Sequence, residues 1–364
     1  MAEKPKELDF KSLVDPALWT DYETFIKNED ARLEDDVKQS MEKRKELRKV
    51  LLSDPKLRER IRPRKEELSK WQDLLAWAES ELFDGKVAAV DGTISNFPMV
   101  SGTRCRIGVV SASYKNKRIE RVLYVSEREL AEPSSSVMEH FENLRTKHRI
   151  SNMLLRALML YGERDLALKR PEKWKFVHGD LLPYELRTGL GVYRALPETL
   201  ELGRKLIEAK NVIAVVEDTS KLNLLNAGIV LERGEFMDAL SLKQDLETNY
   251  LPNAHFSKED EDLFKDFVKD YCDNIRIGVY RSGFKPYVFE AHKEVFEQAI
   301  ALVMKDSENQ LMRGYPLLID YADTIASGLL SGGEFQKQMM FKVAKVSPDT
   351  FGFEMSARTT RRRG

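Results

Sequence analysis

The order of the predicted elements indicates an α/β protein built on a mixed β-sheet that helices cover. Apolar, strand-like runs at residues 86–91, 104–113 and 119–125 precede a long helical pattern, and another helical stretch separates the runs at 174–178 and 211–216. Strands joined by a helix pair in parallel, whereas strands joined by a short turn pair antiparallel. The β-β-β-α-β-α-β order therefore predicts a sheet with an antiparallel part and a parallel part.

Length and composition fit a globular protein of this class. The chain has 364 residues, 42% of them hydrophobic, which suffices for a sizeable core. With 59 Lys and Arg against 60 Asp and Glu, its net charge of −1 excludes holding nucleic acid by bulk charge, although local basic patches remain compatible.

The sequence predicts a cytoplasmic protein without a membrane span. No stretch approaches the ~18 consecutive apolar residues that a spanning helix needs, and the polar first ten residues do not resemble a signal peptide. The two cysteines, Cys105 and Cys272, cannot form a disulfide framework or a Cys-rich zinc site, which fits a reducing compartment.

Three regions are predicted along the chain: a charged α-helical arm over residues 1–80, a main domain over 81–345, and a basic, flexible tail over 346–364. Residues 41–70 contain 12 basic and 6 acidic residues. Pro55 and Pro63 should divide the arm into shorter helices. The arm could contact a partner, but a merely solvated charged face is an equal alternative.

Within the main domain, apolar spacing predicts a long helix from Ser136 to about Ala167 and a shorter one over 197–209. Helices are also expected over 235–250 and over 257–272, where Ser257 suits the N-cap. A hairpin of strands 275–281 and 286–290 should turn at Ser282-Gly283. The remainder, 292–342, reads as helical with an interruption at Gly314-Tyr315-Pro316.

The segment Val90-Asp91-Gly92-Thr93 places an acid at the end of an apolar strand, where the glycine lets a ligand approach the backbone. A phosphatase of the haloacid dehalogenase type needs a nucleophilic Asp two residues earlier, where this chain has Ala89. An actin-like ATPase needs a second phosphate loop that the sequence does not show. A metal ligand for phosphodiester hydrolysis remains, beside the alternative of an Asp that only makes a turn before Gly.

Further ligands are required, because Mg²⁺ and Mn²⁺ prefer several oxygen ligands and two-metal hydrolysis needs acids from different elements. The candidates are Glu163 near the end of the long helix and Asp180 just past the strand at 174–178. For Glu163, spacing alone favours an ordinary charge on a helix surface. For His178, at the strand end, a ligand and a structural role are equally favoured.

Five segments, in order, resemble those of the NurA nucleases, which work with the HerA helicase/translocase in processing DNA ends. They are the first acidic strand (87–95), a helix with an Arg and a Glu seven apart (156–163), a second strand end (176–183), a hydrophobic strand and turn (211–221), and a Gly-Tyr-Pro motif (314–323). Together they cover roughly residues 80–340.

The resemblance implies an RNase H-like nuclease domain over 81–345, a homodimer, and cleavage of DNA that depends on Mn²⁺ or Mg²⁺, with two ions per site. It implies a HerA-like hexameric ATPase as partner and no organic cofactor or membrane. Asp91 would be the first metal ligand, Glu163 the helical ligand and Tyr315 an aromatic residue lining the site. The implied catalytic residues are Asp91, Glu163, Asp180, Tyr315 and Asp323, and the implied metal ligands are Asp91, Glu163, Asp180 and His178.

Three positions depart from the family pattern. His178-Gly179-Asp180 stands where members often have Asp-Gly-Ser, so that either His178 or Asp180 could be the ligand. Asp323 stands where many members have His, which allows a metal ligand but not an imidazole base. Glu217 stands where Lys is common, so a phosphate contact there is in doubt. Tyr315 could also be a loop anchor that packs on the core.

The sequence thus predicts a two-metal deoxyribonuclease for DNA end processing, repair or defence against foreign DNA. Two alternatives remain open. One is a non-catalytic adaptor that binds the ATPase and DNA, and the other is an RNase H-like enzyme acting on RNA or hybrids. The polarity of cleavage and the preference for single or double strands stay undetermined.

Overall fold

The computed structural model describes residues 21–97, 104–115, 118–126, 152–189, 195–217, 222–254, 256–310, 312–331, 334–346 and 348–349. The chain divides into two compact units, Met1–Arg58 and Glu59–Gly364. Within the described ranges, no helix combines the length and the apolar character that crossing a membrane requires.

The first unit is built around a 32-residue helix, α1 (Tyr22–Ser53). Asp21 is its N-cap, and the Asp21 side chain accepts a hydrogen bond of 2.9 Å from the backbone N–H of Thr24. The helix ends just before Pro55, where the next helix, α2 (Pro55–Arg60), begins. A proline lacks the N–H of a helix interior but suits a first position, so the predicted break at Pro55 is confirmed.

The second unit contains a mixed sheet of nine strands among the described residues, in the order β1-β7-β8-β9-β6-β5-β2-β3-β4. The pairs β2–β5 and β5–β6 are parallel, and the other neighbours are antiparallel. The strands are β1 (Ile61–Arg62), β2 (Val87–Phe97), β3 (Arg104–Ala112), β4 (Ile119–Ser126), β5 (Trp174–His178), β6 (Val212–Val216), β7 (Glu235–Ser241), β8 (Ile275–Arg281) and β9 (Tyr287–His292).

Helices cover the sheet. They are α3 (Leu68–Phe83), α4 (Asn152–Lys169), α5 (Tyr184–Arg187), α6 (Leu196–Glu208), α7 (Leu222–Ile229), α8 (Leu242–Asp245), α9 (Lys258–Tyr271), α10 (Phe296–Ser307), α11 (Leu317–Ser331) and α12 (Glu334–Val346). Shorter helical turns are Lys65–Glu67, Leu246–Tyr250, Leu251–Asn253, Cys272–Asn274 and Lys293–Val295.

The helices α4 and α11 lie on opposite faces of the sheet. A Cβ added at Gly108 of β3 would lie 3.2 Å from Leu330 of α11, whereas a Cβ at Gly162 of α4 would lie 3.3 Å from Val109. Gly108 and Val109 are consecutive in β3, and consecutive strand residues point to opposite faces. Strands β2 and β3 are therefore enclosed between the two helices.

The predicted mixed sheet flanked by helices is confirmed. Strands β2 to β6 lie in the order β4-β3-β2-β5-β6, with the first three antiparallel and the last two parallel to β2. This arrangement agrees with the expected RNase H-like core. The N-cap at Ser257 is also confirmed, since its side chain accepts from the backbone N–H of Asp260.

One predicted helix is wrong, and some predictions fall outside the described residues. Residues 235–241 form strand β7 instead of a helix, because β8 and β1 supply backbone partners on both sides. The helical turn starts only at Leu242, where Ser241 is the N-cap. The beginning of the long helix (136–151), the turn residues 116–117 and the tail from 350 onward lie outside the described residues.

Candidate functional site

Asp91 and His178 meet where the parallel pairing of β2 with β5 ends. His178 is the last residue of β5, whereas β2 continues beyond Asp91 to Phe97 along β3, so the prediction that this strand ends at Asp91 is wrong. The parallel pairing of β2 with β5 runs from Val87 to Val90, and Asp91 and His178 are the next residue on each strand. Nδ1 of His178 lies 3.4 Å from Oδ1 of Asp91. Asp91 is buried, whereas 38% of the His178 side chain is exposed. Because ligands of α/β sheets bind outside the carboxyl ends of strands, this edge is the natural place for a site.

Gly92 brings the helix α4 close to β2. A Cβ at Gly92 would lie 2.6 Å from Oε1 of Glu163 and 2.7 Å from Cγ of Met159. Since neighbouring strand residues point to opposite faces, Glu163 approaches β2 from the face opposite the Asp91 side chain. Only a glycine leaves room for a carboxylate at this position, so Gly92 allows Glu163 to lie against the backbone of β2 one residue from Asp91.

Glu163 is fully buried, and burial raises the pKa of its carboxyl. The positive charge of Arg164 opposes this shift, and the negative charge of Asp91 adds to it. Two carboxylates near each other in a buried place are unfavourable unless cations compensate them. The site therefore combines two acids that favour a nearby positive charge.

Arg164 connects the helical acid with the turn after β5. Its fully buried guanidinium pairs with Oε2 of Glu163. The Nη2 group of Arg164 also donates to the backbone carbonyl oxygens of His178, at 2.7 Å, and of Asp180, at 2.6 Å. Gly179 between them adopts a positive φ of 78°, which glycine tolerates without strain. Arg164 thus fixes α4 and this turn relative to each other.

The electrostatic environment raises the pKa of His178 above its ordinary value. Burial lowers that pKa, but the hydrogen bond with Asp91 and the negative charges of Asp91 and Glu163 outweigh burial. The His178 imidazole therefore interacts electrostatically with both Asp91 and Glu163.

The Asp180 carboxylate lies beside Arg187 and not beside Asp91. Its Oδ2 lies 3.8 Å from Nη2 of Arg187, and its backbone carbonyl accepts from Arg164. Of the two alternatives for the second strand end, the structure thus places His178 beside Asp91 and places the Asp180 carboxylate beside Arg187.

Tyr315 borders the site through its ring. Its hydroxyl donates to the backbone carbonyl of Val215 at 3.1 Å, and its ring centroid lies 6.1 Å from that of His178. The Arg313 guanidinium lies over the Tyr315 ring at 4.9 Å and pairs with Glu217 at 2.5 Å. Burial raises the pKa of the Tyr315 phenol well above its usual range. Tyr315 therefore anchors its loop on β6 and forms a wall beside the imidazole.

Asp323 lies on α11 at the rim of the site. It is exposed, and Oδ1 accepts from the Ser327 hydroxyl at 3.3 Å. Partial burial and the negative charge of Asp91 raise its pKa. Asp323 therefore interacts with the charge of Asp91, but it is exposed and is not one of the buried acids Asp91 and Glu163.

The donor types suit a hard divalent cation, since carboxylates and imidazole are ligands of Mn²⁺ and Mg²⁺ enzymes. Within the described ranges, however, no three His, Cys, Asp or Glu side chains are already arranged around one point as a metal site. Asp91 and His178 are about as far apart as two neighbouring ligands of one ion with ~2.1 Å bonds. Glu163 lies against Gly92 of β2, and one of its carboxylate oxygens is paired with Arg164.

Sequence reasoning missed Arg164 and the contribution of Glu290. Glu290 of β9 is fully buried, and its Oε2 accepts from the backbone N–H of Leu181 at 2.8 Å, which holds the turn after β5 from its other end. Arg156, singled out by its spacing from Glu163, instead pairs with Glu185 at 2.8 Å and is largely exposed. The sequence did contain one signal for Arg164, because the adjacent charged residues Glu163 and Arg164 interrupt an otherwise apolar helix pattern.

Comparison with known proteins gives matches among solved structures alone. No family model matches the sequence, and no curated protein matches it. A NurA nuclease from Sulfolobus solfataricus is similar, with a TM-score of 0.45 and 12% identity, covering 77% of this chain and 95% of that chain. A structure of NurA with manganese has a TM-score of 0.44 and 10% identity, covering 77% and 98%. Endonuclease V from Bacillus subtilis has a TM-score of 0.33 and 11% identity, covering 76% and 95%.

Proposed function

We propose that this protein is a metal-dependent nuclease that cleaves phosphodiester bonds of DNA. The observation that carries the proposal is the contact of Asp91 with His178, together with Glu163, which lies against Gly92 on the other face of β2 and interacts with both through its charge. They come from a strand, a helix and a second strand, and they lie far apart in the sequence. The five motifs that resemble NurA nucleases include all three residues and support the same activity.

In this proposal Asp91 and His178 would hold a divalent ion, Mn²⁺ or Mg²⁺, and Glu163, which Arg164 pairs through one oxygen, would be the third acidic ligand. A second ion would need the remaining oxygens of Asp91 and Glu163, with Asp323 as a further acid at the rim. Asp180 could contribute only if its carboxylate turned away from Arg187. Divalent ions in such sites lower the pKa of the attacking water and neutralise the leaving oxygen. The buried Tyr315 would act behind His178, holding the imidazole in place with its ring instead of touching the sugar-phosphate backbone.

The family resemblance extends the proposal to partners and biology. A HerA-like hexameric ATPase would feed DNA to a homodimer of this chain in the cytoplasm. The role would be DNA end processing, in repair or in defence against foreign DNA. The partner, the homodimer and the biological role are supported by the sequence motifs that resemble those of NurA nucleases.

A second candidate, a non-catalytic adaptor that binds the ATPase and DNA, is favoured by one observation. Arg164 occupies one oxygen of Glu163 and partly neutralises it. A permanently paired Glu163 would leave Asp91 and His178 as a two-ligand site, and such a site would hold a metal ion only weakly.

A cleavage assay separates these functions. End-labelled single- and double-stranded DNA, RNA and hybrid duplexes are incubated with the purified chain, with and without its ATPase, in Mn²⁺, Mg²⁺ or EDTA. We expect cleavage of DNA with Mn²⁺, none in EDTA, and none by Asp91→Asn. Asp73→Asn, at an exposed position of α3, is the matched control and should cleave normally.

Three outcomes would contradict the nuclease proposal. Cleavage that persists in EDTA, or equal cleavage by Asp91→Asn, would remove the metal site at Asp91. Binding of DNA without cleavage, even with the ATPase, would favour the adaptor. Cleavage restricted to RNA or hybrids would replace the DNA substrate.

A further inference from the structure

The long helix α1 carries a stripe of apolar side chains, here called the α1 stripe. At 100° per residue, its seven members fall within about 120° of the helix circumference. The same sector also contains polar residues, including Glu29, Asp30, Ser40, Arg44 and Arg48. They are exposed or half-buried, with exposed fractions of 61% for Leu33, 55% for Met41 and 45% for Leu47. The members are Tyr22, Ile26, Leu33, Val37, Met41, Leu47 and Leu51. An apolar stripe along about 48 Å of helix is typical of a surface that packs on another helix.

The stripe is nearly symmetric about Val37. Its other members lie 4, 11 and 15 residues before Val37 and 4, 10 and 14 residues after it. A second α1 helix that runs in the opposite direction, with its own Val37 at the same level, would therefore meet the stripe along its whole length. Such near-symmetry is what a two-fold, self-complementary contact requires.

The charges of α1 are divided between its halves. Residues 21–36 contain seven acidic and two basic residues, a net charge of −5, and residues 38–53 contain six basic and two acidic residues, a net charge of +4. Antiparallel pairing places each acidic half against a basic half, whereas parallel pairing opposes like charges. The helix dipole favours such a distribution only within the terminal turns, so it does not account for charges in the middle.

We propose that α1 is a pairing surface for a second copy of this chain, in an antiparallel two-helix contact centred near Val37. This contact rests on the homodimer of the proposed function and adds the surface through which two copies would pair. Its tests measure mass and geometry, so their outcome does not depend on cleavage.

The first test is the molar mass of the full chain, by light scattering after size exclusion, over a range of concentrations. We expect a dimer for the wild-type chain. Val37→Glu, which places two like charges at the centre of the contact, should raise the dimer dissociation constant at least about 10-fold. Val50→Ser changes an exposed residue of α1 outside the stripe and should leave the dimer unchanged. A wild-type monomer, or a Val37→Glu variant as dimeric as the wild type, would overturn the proposal.

Disulfide crosslinking tests the direction of pairing and does not require a variant that breaks it. A mixture of the Ile26→Cys and Leu47→Cys chains should form a mixed disulfide dimer, and Ile26→Cys alone should not. The native Cys105 and Cys272 are buried and give little background. Crosslinking of Ile26→Cys with itself would indicate parallel pairing and overturn the proposal, as would the absence of any mixed dimer.

Discussion

Two groups of buried carboxylates in the second unit differ in how their charges are compensated. The Asp306 cluster consists of Asp306, Tyr114 and Leu318. Asp306 accepts hydrogen bonds from the Tyr114 hydroxyl and, at 2.9 Å, from the backbone N–H of Leu318. These donors, and the Asn309 side chain that also forms a hydrogen bond with Asp306, are neutral. Burial raises the pKa of Asp306 to about 6. This carboxylate ties the residues after β3 to the start of α11.

The strand-end cluster consists of Asp91, Glu163, Arg164 and His178. It contains two acids, one arginine and one imidazole, and its edge is partly open through His178. Neutral donors contribute little beyond the N–H of Gly92, 2.8 Å from Asp91 Oδ1. Burial of an acid by itself therefore does not identify a functional site. A functional site is indicated where several carboxylates lie near one another beside a partly exposed residue, because their mutual repulsion favours the binding of a cation.

The largest expected effect is on catalysis at the strand-end cluster. Asp91→Asn should lower the rate of DNA cleavage at least about 1,000-fold, because the amide replaces a charged ligand shared by the site. Its free energy of unfolding should change by less than about 1 kcal/mol, since one of two repelling acids is removed. Initial rates and urea denaturation measure both quantities. A cleavage rate of Asp91→Asn within about 3-fold of the wild-type rate would contradict a catalytic role for the strand-end cluster.

Arg164 should matter for activity and for stability. Arg164→Met leaves Glu163 buried without its cation, so we expect a loss of about 3 kcal/mol in the free energy of unfolding. Cleavage should fall about 100-fold as the turn after β5 loosens. The double variant Arg164→Met/Glu163→Gln should recover part of the stability but none of the activity. Additive stability changes in this double-mutant cycle would show that the two side chains do not interact in solution.

The Asp306 cluster should affect stability alone. Asp306→Ala leaves the Tyr114 hydroxyl and the Leu318 N–H buried without an acceptor, which should cost about 3 kcal/mol in the free energy of unfolding. Cleavage by the folded variant should stay within about 2-fold of the wild type. A selective loss of activity with unchanged stability would assign Asp306 to the site and contradict the distinction drawn here.

The smallest expected effect is on the pH dependence of stability. The folded-state pKa of Asp306 is raised from 3.8 to about 6. Its contribution to stability is therefore full below pH 3.8 and is lost as the pH rises through about 6. The free energy of unfolding of the wild type relative to Asp306→Asn should fall between pH 4 and pH 7, as measured by urea denaturation. A rise over this interval would contradict the direction of the shift.

The strand-end acids were accessible to sequence reasoning to different degrees. Asp91 could be singled out because it is an acid that follows an apolar run and precedes a glycine, although the strand continues beyond it to Phe97. For Glu163, spacing alone favoured an ordinary charge on a helix surface, and for His178 a ligand and a structural role were equally favoured, so the motif resemblance supplied the stronger support for both. Arg164 could not be predicted as their connection, because its contacts depend on how α4 lies across the sheet. Strand β7 was missed for a similar reason, as β1 and β8 lie far from it in sequence.

Direct measurement of Mn²⁺ binding tests the central claim. Calorimetric titration of the purified chain should show saturable binding for the wild type and for Asp73→Asn. For Asp91→Asn the affinity should be at least about 10-fold weaker, because a carboxylate ligand has become a neutral amide. Equal Mn²⁺ affinity in the wild type and in Asp91→Asn would show that the strand-end cluster does not hold the ion.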